Sequence, residues 1–353
     1  MKQNIIISTI TVILSALSCN ARSIHRPIDP LMPQIRVYWK DSSEKKYTLR
    51  NCYLQEYPYF KIFDKEYFNR YLLPEIIPPR KTNDKKSIDT AHIKKMIDEL
   101  IVEVMADKKC YTNFDIVKDR DFNETEHCGV LVLKFQHYPL ILKLFLENPK
   151  SITCPFNKGL EPCFFFFMGG GINRHLTGFT RLVNRELVEQ KLEENPLWRG
   201  RVKLPRKWFF IPSSCQWISI EGTNIGTKDH QYIEIPGTYA IIADEIIAER
   251  VFSLYNKQDK EIALQLSYDL EMKIDANISN FRIEKSTYDI AIIDTEHFAS
   301  LVGMQETKKF DSYVDFYSYL ATKFLFNTMF QTKKDRRLAQ KNINTYQLNY
   351  AVD

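Results

Sequence analysis

The chain has 353 residues, of which 44% are hydrophobic, 26% charged and 13% aromatic. That is ordinary for a globular protein and long enough for one large domain or two lobes with substantial cores. The formal net charge of +5 is modest and spread along the sequence, so it calls for no nucleic-acid partner, although a mild positive bias suits anionic ligands.

Behind Lys2 runs an apolar stretch, Ile5 to Leu17, followed by small residues in Ala16-Leu-Ser18 and Cys19-Asn-Ala21. This pattern reads as a signal peptide over residues 1–21, too short for a comfortable membrane span. It predicts an exported protein, periplasmic or secreted, with no transmembrane span in the mature form. A lipid anchor on Cys19 is the lesser alternative. Of the seven cysteines, six remain after cleavage at Ala21. Cys154 and Cys163 bracket a loop with Pro155, Gly159 and Pro162 and are the first pair to test for a disulfide, with buried unpaired thiols an equal alternative. No cysteine or histidine spacing suits zinc.

Residues 22–86 read as an N-terminal extension and linker. Ile35 to Trp39 is strand-like, and Pro74, Pro78, Pro79 and the run Arg80 to Lys86 suggest an exposed connector. Ile93, Met96, Ile97, Leu100, Ile101, Val104 and Met105 recur at helical spacing, with Ser87, Asp89 or Thr90 available as a cap.

A β-rich region follows. Tyr111 to Val117, Gly129 to Phe135 and Leu140 to Leu146 are strand candidates, the last two joined by a Tyr138-Pro139 turn. Alternation puts Ile141, Lys143 and Phe145 on one face of their strand. An unpaired ammonium among such neighbours is costly, so something anionic should meet Lys143. The alternative is an edge strand with Lys143 facing solvent; Lys134 is the rival lysine. The Gly169-Gly-Gly171 run reads better as a connector than as an anion-binding helix start. A helix over 177–194 carries Leu182, Val183, Leu187 and Leu192, with Glu186 at its middle and Glu189 close by. Arg181, Arg185 and Lys191 would make its exposed face basic. Lys207 to Pro212 and Gly237 to Ala243 are two further strands, with 213–236 as an insertion between them. The second leads into the acidic stretch Asp244-Glu245. Glu261 to Met272 forms a helix running into Asp275.

The strongest motif comes next: Asp275-Ala-Asn-Ile-Ser-Asn280, a strand at Phe281-Arg-Ile283, a turn over Glu284 to Asp289, and the apolar run Ile290-Ala-Ile-Ile ending at Asp294. One acid orienting a hydroxyl, with an Asn and a second acid holding Mg²⁺ on a nucleotide, is a phosphoryl-transfer layout. The plain alternative is a hairpin whose Asp275, Asn277 and Asn280 cap backbone groups. Glu296 either supports the metal or is a surface residue. After Asp294 come an apolar helix with Tyr313, Phe316, Tyr317, Leu320, Phe324 and Leu325, then a basic tail at Lys333 to Arg337.

Taken in order over about residues 111–330, these elements resemble the protein-kinase-like superfamily. The resemblance implies a two-lobed α+β fold, with an antiparallel-sheet N-lobe at 87–243 and a small, mainly helical C-lobe at 244–353. It implies ATP and Mg²⁺ as cofactors and a hydroxyl of a protein or small molecule as acceptor. Lys143 falls on the strand lysine that grips the α- and β-phosphates, and Glu186 on the helix acid that pairs with it. Asp244 and Glu245 fall on the hinge whose backbone meets the adenine. Asp275 falls on the catalytic Asp, and Asn280 and Asp294 on the metal-binding pair. The chain departs from the family pattern in four places. Lys273-Ile-Asp275 stands for H-R-D, Asp294-Thr-Glu296 stands for D-F-G, no phosphate-covering glycine loop precedes the strands, and little chain follows Asp294. The departures favour a compact, atypical bacterial branch, aminoglycoside-phosphotransferase-like or degenerate. They leave two alternatives to an active transferase: an exported pseudokinase or binding module, and an unrelated secreted structural protein.

Overall fold

The structure is a computed structural model and describes residues 34–41, 46–50, 69–80, 86–153, 175, 178–225, 228–299 and 306–325. The signal-peptide segment, Cys19, Cys154, Cys163, the Gly169–Gly171 run and the basic tail lie outside the described residues.

Part of the leading segment belongs to the fold, while Pro78, Pro79 and Lys86 are exposed as a connector would be. Strand β1 (Gln34–Trp39) pairs antiparallel with β2 (Tyr47–Arg50). Downstream, β3 (Ile76–Ile77) pairs with β4 (Ile88–Asp89). Tyr71 and Leu73, just before Pro74, and Ile77, between Pro74 and Pro78, are buried. The extended conformation that proline imposes lets this stretch run along a sheet edge: Phe209 N–H donates to Tyr71 O at 2.6 Å and Leu73 N–H to Phe209 O at 2.8 Å. Arg80 lies 2.7 Å from the buried carboxylate of Glu284.

Helix α1 (Thr90–Met105) starts where Asp89 accepts a hydrogen bond from Ala91 N–H at 2.9 Å. Its apolar stripe, Ile93, Met96, Ile97, Leu100, Ile101 and Val104, is buried as its spacing predicts. The chain continues through β5 (Phe114–Lys118), β6 (Phe122–Asn123), β7 (Cys128–Phe135), β8 (Leu140–Leu146), a short α2 (Pro149–Thr153), α3 (Thr180–Glu194), β9 (Val202–Lys203), β10 (Lys207–Phe210), β11 (Trp217–Ile225), β12 (Lys228–Pro236) and β13 (Thr238–Asp244). The main sheet is antiparallel, ordered β10-β13-β8-β7-β5, with β6 added to β7. Residues 213–236, expected as an insertion, contain both strands of the β11–β12 hairpin, and β11 pairs with β1 to make a second sheet.

Strand β8 is central in the main sheet, and its alternation decides where the chemistry sits. Leu140, Leu142 and Leu144 face the core shared with α1. Phe145 faces the other core, with Phe179, Leu182 and Val183 of the α3 region and Tyr239 of β13. Lys143 shares the Phe145 face, flanked across the ladder by Val132 of β7 and Ile241 of β13.

A third core lies beyond. After β14 (Ala248–Val251) comes α4 (Lys257–Asp269), whose N-terminal amides at Gln258 and Asp259 are capped by Asn256. A single 3-10 turn at Ile278–Asn280 leads into β15 (Phe281–Glu284), β16 (Ile290–Ile292) and finally α5 (Tyr313–Leu325). These strands form a sheet ordered β14-β15-β16-β9, in which only the β16–β9 pair is parallel. Leu266, Leu270, Ile274, Phe281, Ile292, Phe298 and Phe316 are buried here together. The chain is therefore a mixed α+β protein with mainly antiparallel sheets. Among the described residues no helix is long and apolar enough to cross a membrane, and Cys110, Cys128 and Cys215 are free thiols.

Candidate functional site

Two segments far apart in sequence meet beneath the main sheet. Lys143 Nζ, on central strand β8, donates to Asp294 Oδ2 at 2.6 Å across 151 residues of chain. Asp294 follows β16 and is anchored by its neighbours: Ile293 N–H donates to Asn280 O at 2.9 Å, and Asn280 Nδ2 reaches Asp275 O at 3.4 Å. Lys143, Asp294, Asn280 and Asp275 thus form one connected set. Within it, Asp275 Oδ1 accepts Asn277 N–H at 2.9 Å and Asn277 Oδ1 accepts Ser279 N–H at 3.0 Å, the Asx caps that fix the loop.

The loop's entrance is strained. Glu271 and Met272, just past α4, both have left-handed backbones, with φ of 55° and 56°. Non-glycine residues hold such angles only when the surroundings enforce them. Here Met272 N–H donates to Ser267 O at 2.8 Å, and the Glu271 carboxylate holds both Lys191 at 2.7 Å and Lys273 at 2.8 Å.

Helix α3 contributes what sequence reasoning missed. Arg181, expected on an exposed basic face, is 1% exposed. Its Nε donates to Asp294 Oδ1 at 3.0 Å and its Nη2 to Glu296 Oε2 at 2.6 Å. One turn on, Asn184 Nδ2 donates to Lys273 O and Thr295 O, both at 2.9 Å. Thr295 Oγ1 donates back to Arg181 O at 2.6 Å, and His297 N–H donates to Thr180 Oγ1 at 3.0 Å. Lys207, at the start of β10, is 8% exposed and donates from Nζ to Thr295 Oγ1 at 2.7 Å. The site therefore joins three cations (Lys143, Arg181 and Lys207) to two acids (Asp294 and Glu296), and Glu296 is 9% exposed rather than a surface residue.

Three expected residues lie elsewhere. Glu186, expected to orient Lys143, points away from it and binds Arg70 Nη2 at 2.8 Å and Tyr71 Oη at 3.2 Å. The helical phase explains this: Arg181, Asn184, Val188 and Leu192 form the buried stripe, and Glu186 falls outside it. Glu189 pairs with Arg185 at 3.0 Å. Asp244 and Glu245 were expected to offer backbone groups to an adenine. Their amides are instead committed, Asp244 N–H to Arg206 O at 3.1 Å and Glu245 N–H to Pro139 O at 2.8 Å. Their carboxylates bind Arg206 at 2.8 Å and Lys134 at 2.7 Å. Sheet pairing at the end of β13 consumes the donors that a ligand would need.

Burial and charge compete in this cluster. Burial alone would raise the Asp294 pKa, but Arg181, Lys143 and Lys207 outweigh it and hold the carboxyl well below its usual range. Burial lowers Lys143 despite the attraction of Asp294. It lowers Lys207 further, because Asp294 is the main opposing influence while Lys143 and Arg181 repel. Arg181 loses to burial but gains more from Asp294 and Glu296, so its pKa is raised. His297, two residues past Thr295, is pushed down to about 3 by burial and by Lys273.

A phosphate chain fits this chemistry. The cations outnumber the acids, and Arg181 Nη1 is buried without a hydrogen-bond partner among the described residues. Anionic oxygens are what such donors take. Asp294 and Asn280 are also the right donor types for Mg²⁺, although both Asp294 oxygens already carry cationic donors. A cleft of about 610 Å³ lies elsewhere, lined by Trp39, Val102, Met105, His127 and Gln216 among others. Its acids are already engaged, Glu126 by Lys150 and Glu147 by Ser151, and it gathers no comparable set of charges. Comparison with models of known families, with curated proteins and with solved structures finds no match for this chain.

Proposed function

We propose that the chain is a kinase-like phosphotransferase that binds ATP and transfers its terminal phosphoryl group to a hydroxyl acceptor. One observation carries the reading: Lys143 on the central strand meets Asp294 at 2.6 Å, with the Asp275–Asn280 loop bonded to the residue before Asp294. Their meeting in one place supports the reading, since phosphoryl transfer needs the phosphate-binding lysine and the metal-binding acid at one nucleotide, and it unites four of the residues singled out from sequence. The two-lobed arrangement belongs to the same proposal. The main sheet with α3 forms the upper part, and α4, the β15–β16 hairpin and α5 form the lower.

In this reading Lys143, Arg181 and Lys207 neutralise and orient the phosphates. Asp294 and Asn280 would hold Mg²⁺ once Asp294 gives up one of its cationic donors, and Asp275 accepts the acceptor's hydroxyl proton. Bound Mg-ATP supplies the transferable group and further charge neutralisation. The protein's own share is positioning in a water-poor site, where charges act more strongly than in bulk solvent. Calorimetric titration of the full chain with Mg-ATP, followed by a search for phosphoryl transfer or ATP hydrolysis, tests it. Failure to bind any nucleotide defeats the proposal.

A second reading has its own support. Arg181 occupies Asp294 where the family pattern has a helix acid paired with the strand lysine, and Glu186 is bound to Arg70. That arrangement favours a nucleotide-binding module without transfer. Binding accompanied by no turnover over hours would decide for it. Export rests on the apolar run behind Lys2, and N-terminal sequencing that finds Met1 on a cytoplasmic protein would remove it from either reading.

A further inference from the structure

The proposed phosphate site holds more positive charge than its acids balance, and both oxygens of its central carboxylate are filled from within the chain. Asp294 Oδ2 accepts from Lys143, while Oδ1 accepts from Arg181 Nε at 3.0 Å and from Glu296 N–H at 3.1 Å. A divalent cation reaching Asp294 has to displace an ammonium or a guanidinium. An arriving anion does not compete for the Asp294 oxygens and leaves those bonds in place. Two donors stand ready for it: Arg181 Nη1, buried without a partner among the described residues, and Lys207, whose hydrogen bond at 2.7 Å goes to a neutral hydroxyl, Thr295 Oγ1.

We propose that Arg181 and Lys207 are phosphate ligands that stand in for the divalent cation, so that this site binds a nucleoside triphosphate without Mg²⁺. The inference rests on the nucleotide-binding reading above and adds to it the source of the neutralising charge. A guanidinium is planar, permanently charged and matched to phosphate oxygens, and it is more weakly hydrated than an ammonium, so burial costs it less. Lys207 adds a point charge on the facing strand. The competing explanation is a structural lock, in which Arg181 merely fastens α3 to residues 294–297. A lock accounts for Arg181, because its bonds to Asp294 and Glu296 join those two segments. It does not account for Lys207. Buried cations beyond those needed for pairing weaken a fold, and an apolar side chain of similar volume would serve better.

The test measures binding of ATP to the full chain by titration calorimetry in EDTA and in excess Mg²⁺, with inorganic triphosphate as competitor. The expected result is ATP affinity in EDTA within about threefold of that in Mg²⁺, with displacement by inorganic triphosphate. Arg181→Gln is the obvious variant but can unlock α3. Lys207→Met therefore carries the test: it should weaken ATP binding in EDTA at least tenfold while leaving the melting temperature equal or higher. Loss of affinity together with gain of stability is a result that a structural role for Lys207 cannot produce. ATP binding that requires Mg²⁺, or unchanged affinity in Lys207→Met, overturns the inference and leaves the nucleotide-binding reading standing. No ATP binding in either condition overturns both.

Discussion

Asp294→Asn is the most informative single change in this protein, because it removes charge without removing volume. The carboxylate holds Lys143 at 2.6 Å and Arg181 at 3.0 Å, and lies near Lys207. The amide keeps a hydrogen bond to one of these but leaves three cations facing Glu296 alone. Removing one partner of a buried ion pair costs about 3–5 kcal/mol. With its side chain 21% exposed, Asp294 belongs at the lower end of that range, so the expected loss is about 3 kcal/mol. Against a typical total of about 5–15 kcal/mol this is a large fraction. Urea unfolding at pH 7 reads it as a drop in midpoint with an unchanged slope. The excess positive charge is the stated cause, so withdrawing one cation should repair part of the damage. Asp294→Asn with Lys207→Met should recover at least about 1 kcal/mol relative to the sum of the single changes. A loss under about 1 kcal/mol for Asp294→Asn, or strict additivity in the double variant, would refute the charge argument.

Four further outcomes are expected. Lys143 and Lys207 have folded pKa values below their unfolded ones, so between those values the unfolded chain binds more protons and stability rises with pH; urea midpoints from pH 7 to 10 should climb in the parent and climb less in Lys207→Met. Asp275→Asn keeps the acceptor that Asn277 N–H uses, so the loop and ATP affinity should persist while turnover falls about a hundredfold or more; equal turnover would exclude Asp275 from proton transfer. Glu186→Ala removes an exposed pair with Arg70 and should cost at most about 1 kcal/mol with no change in ATP affinity; a tenfold weaker affinity would return Glu186 to the site. Gly178→Ala would drive a methyl into Tyr239 Oη and to 2.8 Å from the Phe145 ring, behind the site, and should destabilise by about 1–3 kcal/mol on thermal melting; an unshifted melting temperature would show that this packing yields.

How much of this was legible in the sequence depends on which physical signal each residue carried. Lys143 was legible because a lysine between Leu142 and Leu144 breaks an otherwise apolar strand, and strand alternation fixes its face. Asp294 was legible as the polar end of the short apolar run Ile290-Ala-Ile-Ile. Arg181 was not, because its charge suggested solvent. The recoverable signal was phase: Arg181 and Asn184 share a stripe with Val188 and Leu192, and that stripe is buried. Glu186 was misplaced for the same reason, since a mid-helix position says nothing about which side a residue faces. Lys207 opens a strand in which Phe209 shares its face, so alternation already pointed inward. Asp244 and Glu245 could not be read correctly, because only three-dimensional pairing with Arg206 and Pro139 decides that their amides are taken. The leading segment failed differently. Its prolines do mark a break in helix and sheet, but Leu73 and Ile77, each directly before a proline, fill the core.

The arrangement around Asp294 makes little sense as scaffolding alone. Helix α3 is already fixed to residues 294–297 by neutral bonds, from Asn184 to Thr295 O, from Thr295 to Arg181 O and from His297 N–H to Thr180. Net contributions of about 0.5–1.5 kcal/mol for each such bond are enough to hold a packed helix in register. Phe145, Phe179 and Leu182 add apolar burial beside them. Lys207 is then superfluous to the fold and opposes it, since burial and its cationic neighbours disfavour its charged form. The left-handed pair Glu271 and Met272 lies directly before the loop that carries Asp275. An anion bound between Lys207, Arg181 and Lys143, as proposed above, would turn Lys207 from a cost in stability into a ligand.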